Sequence, residues 1–144
     1  VTNDFSPMKT SKLLFLLMVI GMIAVSLTAC KKDDPAPGLT GFWTGKYGNG
    51  NAYPTSGYAF LLRKDGTIRV FNDSDTTKAS VTPAEGIYSF LGSTLTAKYT
   101  YLGAGGTTFS VSAQVNDQFT FMEGTWGPGD NTSGNGRYFL VKQP

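Results

Sequence analysis

The sequence contains no histidine and a single cysteine, Cys30, among its 144 residues. The absence of histidine removes the commonest general base and the commonest zinc ligand. A lone cysteine cannot form a disulfide within the chain, and the segment after it has no thiol. Asp73 and Asp75 share a polar stretch, but two carboxylates fall far short of the roughly six to eight oxygen ligands that calcium takes. We therefore expect no catalytic residue, no metal site, no cofactor and no enzymatic activity.

Excess charge of either sign is also missing, because the chain has 12 Lys and Arg against 10 Asp and Glu. From Cys30 onward, without Lys9, Lys12 and Asp4, ten basic and nine acidic residues remain. Binding to nucleic acid needs a clustered excess of Lys and Arg. We expect no nucleic-acid partner.

Residues 1–29 have the pattern of a signal peptide that is cleaved. Lys9 and Lys12 precede an unbroken apolar run, Leu13–Val25, which is followed by small residues. A transmembrane helix over 13–29 is the alternative, but its seventeen residues are at the lower limit for crossing a bilayer. The residues before Met8 are interpreted as an upstream extension or a start-site error.

Leu27-Thr28-Ala29-Cys30 resembles the lipobox of bacterial lipoproteins. The resemblance implies cleavage before Cys30, a diacylglycerol group on its sulfur, and therefore membrane attachment through the lipid. Residues 30–38 then form a charged and Pro-rich spacer. Lys32-Asp33-Asp34 resembles the surface-export signal of lipoproteins in one group of Gram-negative bacteria, although any hydrophilic tether would read the same way. We expect a lipid anchor at the outer membrane of the cell envelope, on its inner or its outer face.

Residues 39–144 form one domain of about the size that supports a single core. No stretch keeps the helical spacing of apolar residues, whereas period-2 alternation recurs and Asp65-Gly66 is a tight-hairpin signal. The pattern predicts an all-β domain with eight strands: Thr40–Tyr47, Tyr58–Arg63, Thr67–Phe71, Gly86–Leu91, Thr94–Tyr101, Thr108–Val115, Gln118–Trp126 and Arg137–Lys142.

Eight half-apolar strands joined mostly by short turns favour an antiparallel up-and-down barrel whose first and last strands pair. A β-sandwich is the alternative. The motif Gly41-x-Trp43-x-Gly45 resembles the opening of calycin-type barrels, the lipocalin-like and avidin-like proteins, and Gly124-Thr125-Trp126-Gly127 resembles it again near the end. The layout is similar to that of small lipocalin-like lipoproteins of bacteria. Avidin's ligand is not implied, because Thr44-Gly45-Lys46 lacks the polar residues that would hold a biotin ring.

The aromatic side chains of the predicted strands are candidates for lining a ligand cavity, since small-molecule sites are mostly apolar with a few polar tips. The same side chains could equally form plain core. The candidate ligand-binding residues are Trp43, Tyr58, Tyr88, Tyr99, Tyr101, Phe121, Glu123 and Trp126.

Glu123 belongs to this set because alternation with Phe119 and Phe121 points it inward, where an unpaired carboxylate would be costly. Two arrangements relieve the conflict. A bulge near Gly124 could reverse the phase and bring Trp126 inside, or Glu123 could pair with an arginine such as Arg69 or Arg137.

Three hypotheses of function follow. The first is a lipid-anchored binding module for a small apolar or aromatic ligand or a glycan fragment. The second is a structural or interaction protein whose filled barrel holds no ligand. The third, a hydrolase, would need Glu123 as its acid and is the least supported, because no second carboxylate or nucleophile is placed beside it.

Lipidation gives the first testable prediction. The mature protein purified from host membranes should begin at Cys30 and carry acyl chains on it, as read by intact-mass spectrometry. Cys30→Ser should abolish both the added mass and the recovery in the membrane fraction. A mature N-terminus without acyl chains would refute the lipobox interpretation.

Overall fold

A computed structural model describes residues 38–103 and 105–144. This part of the chain is all-β, as predicted, and it contains no helix. The eight strands are β1 (Gly41–Asn49), β2 (Ser56–Leu62), β3 (Thr67–Phe71), β4 (Pro83–Leu91), β5 (Thr94–Tyr101), β6 (Thr108–Val115), β7 (Phe121–Pro128) and β8 (Gly136–Lys142).

The strands form one closed antiparallel barrel in which each pairs with its neighbours in sequence. The barrel closes where β1 pairs with β8, in a register that runs from Trp43 opposite Lys142 to Asn49 opposite Gly136. The predicted up-and-down topology is confirmed, and the alternative β-sandwich is wrong.

The core follows from period-2 alternation along the strands. In β5, for example, Leu95, Ala97 and Tyr99 are buried while Lys98 is exposed. The hairpin predicted at Asp65-Gly66 joins β2 to β3, and Gly66 takes the positive φ of 80° that this turn requires. Packing therefore places the apolar rows inside the cylinder and the polar rows outside.

Several strand ends differ from the prediction. β1 continues to Asn49, β2 covers Ser56–Leu62, and β4 begins at Pro83 rather than at Gly86. Pro83 pairs with Phe71 as the first residue of its strand, a position where the missing N–H is tolerated. Pro83 is thus the first residue of β4, whereas the predicted strand began at Gly86.

The prediction for β7 was wrong about which of its side chains point inward. The predicted start, Gln118, belongs to a turn in which the Asn116 side chain accepts from the backbone N–H groups of Thr120 and Phe121, at 2.8 and 3.0 Å. Phe119, with a φ of 53°, packs against the core as expected. Alternation does not continue through a turn, so the strand that starts at Phe121 points Phe121 outward.

The two ends of the barrel differ. At the end where β1 starts, Leu39 and Trp43 are fully buried, and the Trp43 indole donates to the Leu39 carbonyl at 3.0 Å. Phe119 and Phe90 also pack at this end, with their ring centroids 5.9 Å apart. Lys142 Nζ donates to the Gly38 carbonyl at 2.5 Å. This closed end is filled with side chains, whereas the longer loops surround the opposite, open end.

The predicted signal peptide, the lipid-bearing Cys30 and the spacer up to residue 37 lie outside the described residues. Within the ranges that the structure describes, no helix is long and apolar enough to cross a membrane.

Val111 and Ser112 give a matched test of this packing. Val111 is fully buried, whereas Ser112 is half-buried on the outer side of the same strand. Val111→Ala should lower the free energy of unfolding by about 2 kcal/mol or more, because it removes buried methyl groups and leaves a cavity. Ser112→Ala should change it by less than about 0.5 kcal/mol. Urea melts measure both, and equal costs would contradict the inward orientation of Val111.

Candidate functional site

The open end of the barrel holds a cleft of about 470 Å³. Its walls come from the barrel interior, and its rim comes from the β3–β4 and β5–β6 loops. The lining residues are Tyr47, Tyr58, Tyr99, Tyr101, Phe109 and Trp126 on the walls, with Asn72, Thr82, Gly103, Gly106 and Thr107 at the rim. A cleft of this volume falls within the range of sites that hold small molecules.

Six aromatic side chains surround the cleft, and we call them the aromatic collar: Tyr47, Tyr58, Tyr99, Tyr101, Phe109 and Trp126. Neighbouring rings touch around the circle with centroids between 5.2 and 6.0 Å apart, mostly edge to face. The hydrogen bond between the Tyr58 and Tyr99 hydroxyls closes the circle. Edge-to-face contacts stabilise aromatic pairs beyond simple burial, so the collar is held in place without a ligand.

Three tyrosines are buried at or behind the cleft lining: Tyr58 and Tyr99 line the cleft, and Tyr138 lies behind the lining against Tyr58. Tyr58, Tyr99 and Tyr138 are each at most 4% exposed. The Tyr138 ring lies 5.6 Å from the Tyr58 ring, and its buried hydroxyl has no hydrogen-bond partner within the described residues. This part of the barrel interior therefore contains one pair of phenol groups that bond to each other and one phenol group without a partner among the described residues.

Three glycines lie opposite these tyrosines in the sheet. Gly45 lies opposite Tyr58, Gly86 opposite Tyr99, and Gly124 opposite Tyr138. A Cβ atom at any of the three glycines would come within 2.0 Å of a backbone carbonyl oxygen on the neighbouring strand. The neighbouring strands therefore approach each other so closely at these three points that only glycine fits there.

The orientation of Trp126 depends on two further glycines, Gly48 and Gly136. Its indole N–H donates to the Gly48 carbonyl at 3.1 Å, which ties the end of β7 to β1. A Cβ atom on Gly136 would lie 2.6 Å from the indole nitrogen and 1.9 Å from that carbonyl oxygen. Gly136 is thus required for the hydrogen bond that orients Trp126 toward the cleft.

The cleft is polar but carries no charge, because none of its lining residues is an Asp, Glu, Lys or Arg. Burial raises the pKa of Tyr58, Tyr99 and Tyr138 well above the usual value of 10.0, and raises that of Tyr101 to about 12. All four phenols are therefore neutral at physiological pH.

Asp73 and Asp75 serve the geometry of the β3–β4 loop. An Asp73 oxygen accepts from the backbone N–H of Asp75 at 3.0 Å, and its second oxygen pairs with Lys78 at 2.7 Å. The Asp75 carboxylate accepts from the backbone and hydroxyl of Thr77. Across the described ranges, no group of three or more His, Cys, Asp or Glu side chains is placed to hold a metal ion.

Four of the predicted site residues meet at the cleft: Tyr58, Tyr99, Tyr101 and Trp126. Trp43 and Tyr88 lie in the other half of the barrel. Trp43 is fully enclosed at the closed end, and the Tyr88 hydroxyl donates to the Arg63 carbonyl at 2.7 Å beside the β2–β3 turn. Neither side chain lines the cleft.

The inward orientation expected of Phe121 and Glu123 is wrong. Phe121 is 36% exposed and stacks on Phe139 of the outer wall. Glu123 is exposed, while Met122, Gly124 and Trp126 take the inward positions. The phase change comes from the turn before Phe121 and not from a bulge near Gly124. The suggested partner Arg69 pairs with Glu85 instead.

Tyr47, Phe109 and the rim residues were not among the predicted site residues. Tyr47 and Phe109 do follow the inward alternation of β1 and β6. In an up-and-down barrel the ends of odd strands and the starts of even strands meet at one end. Applied to the inward-facing aromatic residues, this rule would have placed Tyr47, Phe109 and Trp126 at one end of the barrel and Trp43 at the other.

Comparisons of the chain with protein-family models, with curated proteins and with solved structures gave no match.

The buried phenols predict loss of stability in alkali. Below about pH 10 they are protonated in the folded and the unfolded chain, so the native state keeps its full stability. Above pH 10 the unfolded chain loses phenol protons that the folded chain retains, because burial raises the pKa of Tyr58, Tyr99 and Tyr138. The free energy of unfolding should fall by up to about 1.4 kcal/mol per pH unit for each such group.

Urea melts at several pH values, with phenolate absorbance recorded in parallel, measure this dependence. Tyr99→Phe should reduce the fall of the free energy of unfolding with rising pH. Thr100→Phe, a change on the outer side of the same strand, should leave this pH dependence unchanged. A wild-type slope equal to that of Tyr99→Phe would contradict the burial of this phenol.

Proposed function

We propose that this chain is a binding module that holds a small apolar or aromatic molecule, or a glycan fragment, in the mouth of a lipocalin-like barrel. The observation that carries the proposal is the 470 Å³ cleft enclosed by the aromatic collar. Its side chains are oriented by ring contacts and by the Tyr58–Tyr99 and Trp126–Gly48 hydrogen bonds. A site formed before the ligand arrives loses less entropy on binding.

The proposed lipid anchor is compatible with this site. Gly38, the first described residue, lies at the closed end, where Lys142 binds its carbonyl. A chain attached to lipid at Cys30 would therefore join the barrel at the end opposite the cleft.

The kinship with lipocalin-like barrels remains part of the proposal. It is supported by Gly41-x-Trp43 at the start of β1 and by the closed eight-stranded barrel that this strand opens.

We propose binding without catalysis. The cleft lining offers no carboxylate, thiol or cationic side chain that could transfer a proton or attack a substrate. Glu123, the acid on which a hydrolase would depend, lies exposed on the outer wall.

One observation favours the second candidate, an interaction protein. Phe121, Phe139 and Val141 are neighbours on the outer wall of β7 and β8, and Val141 is 45% exposed. Exposed apolar patches of this kind can mark protein contacts.

Native mass spectrometry of the protein purified from its own host tests the binding proposal, with an added mass as the expected result. Trp126 lines the cleft and Trp43 is enclosed, so acrylamide should quench mainly Trp126, and it should quench less when the ligand is retained. Trp126→Phe should remove that difference. In a control, the protein is denatured to extract any ligand and is then refolded. The proposal is contradicted if the native protein carries no added mass and if acrylamide quenches the native and the refolded protein equally. A copurified protein released by Phe121→Ser would then favour the second candidate.

A further inference from the structure

The absence of charge in the cleft limits what can enter it. No lining side chain is charged, and the nearby Asp73 and Lys78 neutralise each other on the β3–β4 loop. Bringing an ionised group into a partly buried site without a counter-charge is costly. The part of the ligand that enters the cleft should therefore be neutral.

The polar groups of the cleft need partners. The Tyr58 and Tyr99 hydroxyls share one hydrogen bond, which uses one of their two protons. Tyr47 and Tyr101 also line the walls, and each adds a hydroxyl that can donate and accept a hydrogen bond. A purely apolar ligand would take water away from these phenols and leave them unsatisfied, which is unfavourable.

The rim adds further donors. The side-chain oxygen Oδ1 of Asn72 accepts from the backbone N–H of Thr82 at 3.1 Å, so the NH₂ group of the same side chain remains to donate. Thr107 contributes a hydroxyl group to the rim. The Trp126 indole N–H is used on Gly48, so Trp126 offers the ligand its ring only. The site thus combines aromatic faces and edges with several neutral hydrogen-bonding groups.

The Tyr138 hydroxyl lies behind the cleft lining and is buried without a partner in the described part of the chain. An unpartnered buried hydroxyl is rare in proteins, and it often marks a site where a water or a ligand atom completes the set. The Tyr138 ring lies 5.6 Å from the Tyr58 ring, so hydrogen-bonding groups continue behind the cleft lining.

We infer that the cleft takes an uncharged saccharide of one or two rings. The C–H faces of a sugar ring suit the negative faces of aromatic rings, and its hydroxyls can both accept from and donate to phenols and the Asn72 amide. This inference rests on the proposed binding function and names its ligand class.

Trp126 fluorescence and calorimetry with chosen probes test the inference. Neutral probes are maltose, cellobiose, lactose and N-acetylglucosamine. Glucuronate and glucosamine present similar rings with a negative or a positive charge, and indole is a neutral aromatic without sugar hydroxyls. At least one neutral saccharide should bind, and both charged sugars should bind at least about 10-fold more weakly than it does, because desolvating their charge is not compensated.

Two variants test the role of the phenols. Tyr101→Phe removes one cleft hydroxyl and should weaken saccharide binding about 3- to 10-fold, the usual effect of losing one neutral hydrogen bond. Tyr53→Phe removes a hydroxyl from a loop residue that is 77% exposed and contacts Phe139 of the outer wall, and it should leave binding unchanged. Unchanged melting temperatures show that both variants are folded.

The outcomes separate the inference from the function beneath it. If indole binds and no saccharide does, the ligand class is wrong while the binding function stands. If charged and neutral sugars bind equally well, or if Tyr101→Phe has no effect, the inference is likewise overturned. If no probe binds and the host protein retains no ligand, the proposed function fails as well.

Discussion

The pairing of the first strand with the last is the constraint on which the structure depends. The register that joins β1 to β8 leaves no sheet edge open and wraps the eight strands into one cylinder. A cylinder of eight strands has an interior only just wide enough for side chains or for one small ligand. Whether the interior is solid or hollow therefore depends on a few side chains at each height. At the closed end Leu39 and Trp43 fill it, and at the open end the cleft remains.

Polarity without charge distinguishes the inside of this barrel from its wall. Outside, Glu85 bridges Arg63 and Arg69, and the hydrogen bond from Arg63 is the main cause that lowers the pKa of the Glu85 carboxyl. Inside, the buried polar side chains include phenols such as Tyr58 and Tyr138, and burial raises the pKa of both, so they stay neutral. Phenols let the interior keep hydrogen-bonding groups without the cost of burying ions. The proposed ligand follows from that distribution.

Strand β7 shows where reasoning from sequence stops. Alternation within a strand was a sound guide for Tyr58 and Tyr99, which were predicted to face the interior and are buried there. It failed for Phe121 and Glu123, because the rule was carried through a turn. The Asn116 side chain organises that turn, and Phe119 adopts a left-handed conformation in it. Alternation holds only while the backbone stays extended, so each turn resets which residues point inward.

The sequence by itself determined that the domain is all-β, that it has eight strands, and largely which side chains face the interior, because side chains in a strand alternate between two faces. The position of each inward side chain along the barrel axis was decided only by the closed tertiary structure. Trp43 and Trp126 both point inward, yet one fills the closed end and the other lines the cleft. Alternation assigns a face of the sheet, whereas a height along the axis depends on strand direction and register, which become fixed when the sheet closes.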